Sequence, residues 1–129
     1  MRVFKNAWFA RFCRKQGISD KALLEATDRV NRGLIDADLG GGVIKQRLAR
    51  AGRGKSGGFR TIILYLAAER AFFVYGFAKS CRDNIDKDEE AAFKEAARYV
   101  LGLSDSRLAE LIDLKHFTEV HDHDKEIPK

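Results

Sequence analysis

Val43-Ile44-Lys45-Gln46-Arg47-Leu48-Ala49-Arg50 is the stretch on which the fold turns. Side chains alternate across an extended chain, so Ile44 and Leu48 lie on one side while Lys45 and Arg47 lie on the other. A half-buried strand follows, apolar on one face and basic on the other. Immediately upstream, Gly40-Gly41-Gly42 breaks the chain and marks where a period near four gives way to a period of two. Downstream, Gly52-Arg53-Gly54-Lys55-Ser56-Gly57-Gly58 reads as a loop leading into Phe59–Leu66, which is rich in Ile, Leu and Tyr. The pair makes a hairpin with a basic tip. After the turn Ala68-Glu69-Arg70, the run Ala71–Ala78 holds Phe72, Phe73, Val74, Tyr75 and Phe77, a nearly continuous apolar strand suited to a central position. Together they predict an antiparallel meander.

Helices flank this core. Asn6 caps a predicted helix over residues 7–16, with Trp8, Phe9 and Phe12 at helical spacing and Gly17 at its exit. Ser19 caps a second, with Ile18 and Leu23 at the staple positions, a buried stripe of Leu23, Thr27, Val30 and Leu34, and an end near Gly33. Beyond the sheet, Asp86 and Glu89 have capping-box spacing, and Phe93, Ala97, Val100 and Leu101 form the apolar face of a helix ending near Gly102. Ser104 opens another, with Leu108, Leu111 and Ile112 inward. From Glu119 to Lys129 the chain is polar and aperiodic, so it is expected to fray. The fold class is α+β: a small curved antiparallel sheet with N-terminal and C-terminal helices packed on it. Residues 1–117 are expected to form one domain, and 118–129 a flexible tail.

At 129 residues and 45% hydrophobic, the chain supports one core and no comfortable second domain. Lys and Arg number 24 against 19 Asp and Glu, a net charge of +5, which favours a polyanionic or acidic partner. The start of the chain, Arg2 followed by the amphipathic run Phe4, Trp8, Phe9, Phe12, lacks the unbroken apolar region of a secretory signal. No stretch reaches the roughly 20 apolar residues of a membrane span. The expected location is cytoplasmic, with no membrane partner. Cys13 and Cys81 lack CxxC spacing and are expected to be two reduced thiols.

Charge is unevenly spread. Between Leu39 and Ala68 there is no Asp or Glu, while Lys45, Arg47, Arg50, Arg53, Lys55 and Arg60 all fall there, and Lys79 and Arg82 follow the last strand. Cations sharing one face can neutralise phosphates and release counterions, which makes this a candidate polyanion surface; a solvated basic hairpin or a dock for an acidic protein is the plainer alternative. Gly54-Lys55-Ser56 invites a phosphate-loop reading that fails on spacing, because Ala49 stands where the first glycine is needed and no strand-to-helix unit surrounds it. His121-Asp122-His123-Asp124 holds ligand-type residues with no second cluster, so no metal site is expected. Tyr65 and Tyr75 can stack on bases, although strand aromatics are more often core.

Residues 44–60, IKQRLARAGRGKSGGFR, followed by Phe72–Ser80 and Asn84-Ile85, resemble the RelE/HigB-like toxins of bacterial type II toxin–antitoxin systems. Leu34–Gly41 is similar to one branch of that family, and the likeness covers roughly residues 1–105. The resemblance implies a metal-independent, cofactor-free, ribosome-dependent endoribonuclease that cuts messenger RNA and inhibits translation. In that chemistry the 2′-hydroxyl attacks the adjacent phosphate while positioned cations move protons and hold the crowded phosphate. By position, Lys45 is the implied base, Arg47 and Arg60 stabilise the transition state, and Lys79 or Arg82 assists at the leaving group. Arg50, Arg53, Lys55 and Tyr75 are expected to contact RNA. Two positions depart from the family pattern: Ser80 stands where an arginine is usual, and Asp86 where a catalytic tyrosine is usual.

The implied partners are a cognate antitoxin, of helix-turn-helix DNA-binding type, together with messenger RNA and the ribosome. Both a monomer and a homodimer are compatible with the sequence. A ParE-like toxin that inhibits DNA gyrase without cutting nucleic acid is the competing class, since it shares the fold and needs neither departed residue. A non-catalytic RNA-binding module is the third.

Overall fold

A computed structural model describes the backbone of residues 1–50 and 54–121, and their side chains except those of 50 and 54–57. Its elements run β1 (Arg2–Asn6), α1 (Ala7–Gln16), α2 (Asp20–Asn31), β2 (Ala37–Gly40), β3 (Val43–Arg50), β4 (Gly54–Leu66), β5 (Arg70–Ala78), α3 (Lys87–Val100), α4 (Asp105–Asp113) and β6 (Phe117–Val120). The four helices begin where their caps require. Asn6, Ser19, Asp86 and Ser104 each accept a backbone N–H of the first turn, and Asp86 with Glu89 completes a reciprocal capping box. Gly17 ends α1 in the left-handed region at φ 70°. No helix among the described residues is long and apolar enough to cross a membrane.

The sheet is larger than the meander expected from sequence. Six strands lie in the order β2-β3-β4-β5-β1-β6, with four antiparallel pairings and a parallel one between β1 and β5. The three added strands are four or five residues long, and the partners of β1 lie far away in sequence, so local periodicity carries little of their signal. Gly40, Gly41 and Gly42, all at positive φ, form the turn from β2 into β3, rather than a break preceding the sheet. β4 begins at Gly54, so much of the expected loop is strand backbone. The tail expected to fray from Glu119 instead supplies Glu119 and Val120 to β6, where Val120 is buried against β1. Leu34, expected in the stripe of α2, is 55% exposed because the helix ends at Asn31 and the chain turns through Gly33 at φ 84°.

Helices cover both faces. On one, α1 and α2 bury Phe9, Leu23, Ala26 and Val30 against Ile44, Leu48, Phe59, Ile63 and Phe73. On the other, α3 and α4 bury Ala97, Val100, Leu108 and Leu111 against Phe4, Val43, Ile62, Leu64 and Phe72. Gly76 lets α1 approach closely: a Cβ there would sit 2.8 Å from Phe12 and 3.0 Å from Phe9. Along β3 the second face passes from buried Val43 through half-buried Lys45 to exposed Arg47, so apolar cover gives way to charge within one strand.

Candidate functional site

The register of the three long strands brings the basic side chains together. Arg47 pairs with Arg60 across β3 and β4, and Arg60 pairs with Phe77 across β4 and β5. One row nearer the apolar cluster, Lys45 pairs with Ile62 and Ile62 with Tyr75. Beyond Tyr75 the register with β4 shifts at Ile62/Ile63, a bulge at Val74 that keeps Tyr75 and Phe77 on this face.

Placing two arginines directly opposite each other is unfavourable unless an anion or a carboxylate offsets the repulsion. For Arg47 a carboxylate is present: Asp36 accepts from its backbone N–H at 2.5 Å and from its Nη2 at 3.4 Å. Arg29 donates to the Arg47 carbonyl at 3.3 Å, so the main chain is clamped from both sides. Gln46, 2% exposed, holds this arrangement from beneath. Its Nε2 donates to the Leu34 carbonyl at 2.9 Å and its Oε1 accepts from the Asp36 N–H at 3.0 Å. Arg60 is different. Its Nη1 is buried and has no hydrogen-bond partner among the described residues. A buried, unsatisfied guanidinium donor is costly, and an incoming anion would relieve it. A cleft of about 380 Å³ opens here, lined in part by Arg29, Asp36, Gln46, Arg47, Gly58 and Arg60.

Lys45 and Arg82 are held from the segment leading into α3. Lys45 Nζ donates to Asn84 Oδ1 at 3.2 Å. Arg82 donates to the Asn84 carbonyl at 3.0 Å, to the Tyr75 hydroxyl at 3.0 Å and to both carboxylate oxygens of Glu89 at 3.1 and 2.6 Å. Its guanidinium also lies 5.5 Å from the Phe77 ring centroid and 5.9 Å from that of Tyr75. The hydrogen bonds Arg82 donates to Glu89, then to Tyr75, hold its pKa above its ordinary value, while Arg82 and the Asp86 N–H lower that of Glu89 to about 2. Arg82 is therefore a cation already paired with a carboxylate, and it joins Tyr75 to the start of α3.

The remaining residues singled out by sequence are distributed as follows. Lys79 lies just past β5, exposed, with its N–H on the Gly58 carbonyl at 3.4 Å and its ammonium bonded to no described residue. Arg53 lies outside the described residues, as do the side chains of Arg50 and Lys55. Tyr75 is half-buried among Trp8, Phe77 and Phe93. Tyr65 is on the opposite face, its hydroxyl donating to Asn31 at 2.8 Å, which makes it a packing residue. Ser80 is exposed in a turn, and the Asp86 carboxylate is spent on the start of α3. Sequence reasoning assigns Asp36, Gln46, Asn84 and Glu89 no role in the site: Glu89 is legible only as a helix-capping residue and Asn84 only as part of the family likeness, while Gln46 stands out as a polar residue on the apolar side of the Ile44–Leu48 alternation.

A family model described as the RelE toxin of the RelE / RelB toxin-antitoxin system matches residues 1–120. A search of curated proteins found no match to the chain.

Proposed function

We propose, from the premise that this chain belongs to the RelE toxin family and is the toxin of a toxin–antitoxin system with a cognate antitoxin, that it acts as an endoribonuclease on messenger RNA at the cation-bearing face of β3, β4 and β5. The observation that carries this reading is Arg60: a buried guanidinium donor, unpaired among the described residues and beside a second arginine, is arranged for a phosphate. In the proposed reaction the RNA 2′-oxygen attacks the neighbouring phosphorus and gives its proton to the neutral amine form of Lys45, which becomes the ammonium. Arg60 and Arg47 take the charge that builds on the non-bridging oxygens. The bond from phosphorus to the 5′-oxygen then breaks, leaving a 2′,3′-cyclic phosphate, and the departing oxygen receives a proton. With Arg82 bound to Glu89, Lys79 is the better candidate for that last step. Arg50, Arg53, Lys55 and Tyr75 are assigned to holding the strand, and the ribosome to presenting it.

A ParE-like reading, a toxin that blocks gyrase without cutting, draws support from Ser80 and from the commitment of Asp86 to a helix cap. Induced expression of the wild type and of Arg60→Ala in a bacterium, with growth followed and new 5′ ends mapped in translated messages, separates the two. Arrest with new ends, both lost in Arg60→Ala, is the expected result. Arrest with intact messages would overturn the nuclease reading in favour of gyrase or another target.

A further inference from the structure

Trp8 is the chain's only tryptophan and is 38% exposed, although it occupies the first turn of a helix that packs on the sheet. Its position follows from where β1 stops. Asn6 accepts from the Phe9 N–H at 2.7 Å to start α1, and its Nδ2 donates to the Val74 carbonyl at 3.1 Å, at the bulge of β5. The chain thus leaves the sheet beside Tyr75. The indole lies 4.7 Å from the Tyr75 ring and stacks on Phe12 at 5.2 Å and 15°. Tyr75 is enclosed by Trp8, Phe77 and Phe93, so Trp8 is the ring of this row with surface to spare.

The row continues directly from the phosphate site: Arg60 is the cross-strand neighbour of Phe77, Phe77 lies 6.0 Å from Tyr75, and Tyr75 carries Trp8. α1 itself has no acidic residue, and Arg11, one turn beyond Trp8, is exposed, as are Arg14 and Lys15. An aromatic platform beside cations is the arrangement that binds single-stranded nucleic acid, with phosphates on the cations and a base on the ring. We propose that Trp8 is a base-stacking residue, taking a nucleobase of the RNA strand whose phosphate sits at Arg60. This rests on the nuclease reading above and adds a positioning residue to it.

The test uses a short uncleavable 2′-O-methyl RNA oligonucleotide, with binding followed by the anisotropy of its label and stacking by the emission of the single tryptophan. Binding is expected to quench Trp8 in step with the anisotropy. Trp8→Leu, which keeps apolar bulk without a flat ring, should weaken binding about five- to a hundred-fold, and Trp8→Tyr should restore most of it. Binding without quenching, equal affinity of the Leu variant, or no binding at all would overturn the inference. In each of those cases the message-end mapping with Arg60→Ala still judges the nuclease reading on its own. Quenching without any message cleavage would keep the stacking site and remove the nuclease.

Discussion

The two faces of the β3–β4 hairpin are made from alternate residues of the same strands, yet they follow opposite rules. Beneath α1 and α2, Ile44, Leu48, Phe59 and Ile63 are almost wholly buried, and the polar exceptions, Gln46 and Thr61, both make hydrogen bonds. On the other face, burial of Val43, Ile62 and Leu64 gives way to Lys45, Arg47 and Arg60, with a buried donor unpaired among the described residues and like charges opposed. The first face is arranged for stability. The second gives up stability locally, which is the usual signature of a ligand site.

The largest effect belongs to the first face: Phe73→Ala, which empties a fully buried position 5.2 Å from the Phe9 ring, should cost about 3–5 kcal/mol in denaturant unfolding. Next, Arg60→Leu should reduce message cleavage by about 10²–10³-fold while leaving the thermal midpoint unchanged or raised, because it removes an unpaired donor and a repulsion. A large loss of stability in that variant would show that Arg60, like the residues of the first face, serves stability. Third, Gly76→Ala should destabilise by about 1–3 kcal/mol, since the added methyl meets Phe12 and Phe9, and calorimetry would measure it.

A smaller effect concerns the ion pair of Arg82 with Glu89. Glu89 has its pKa lowered from 4.5 to about 2, so its contribution is fully present above about 4.5 and is lost as pH falls toward about 2. Glu89→Gln should lower the thermal midpoint at pH 6, and the gap from the wild type should close over that acid range. Smallest in energy is a contrast of thiols. Burial pushes Cys13 up to about 11, while Cys81 is exposed, so iodoacetamide at pH 8 should label Cys81 and spare Cys13 until the protein unfolds.

The amino-acid sequence determined the helices and the three long strands, because their information is local: a cap and a 3.6-residue stripe for α1 to α4, and alternation or a continuous apolar run for β3, β4 and β5. It also determined that Lys45 and Arg47 share one face of a strand. Only the tertiary structure decided which cations meet and which are neutralised. The register put Arg47 opposite Arg60, the loop after α2 brought Asp36 to Arg47, and α3 brought Glu89 to Arg82. It likewise decided that β1 runs between β5 and β6, strands that both lie more than 60 residues away along the chain. These are non-local pairings, and the side chains that settle them carry no periodicity of their own.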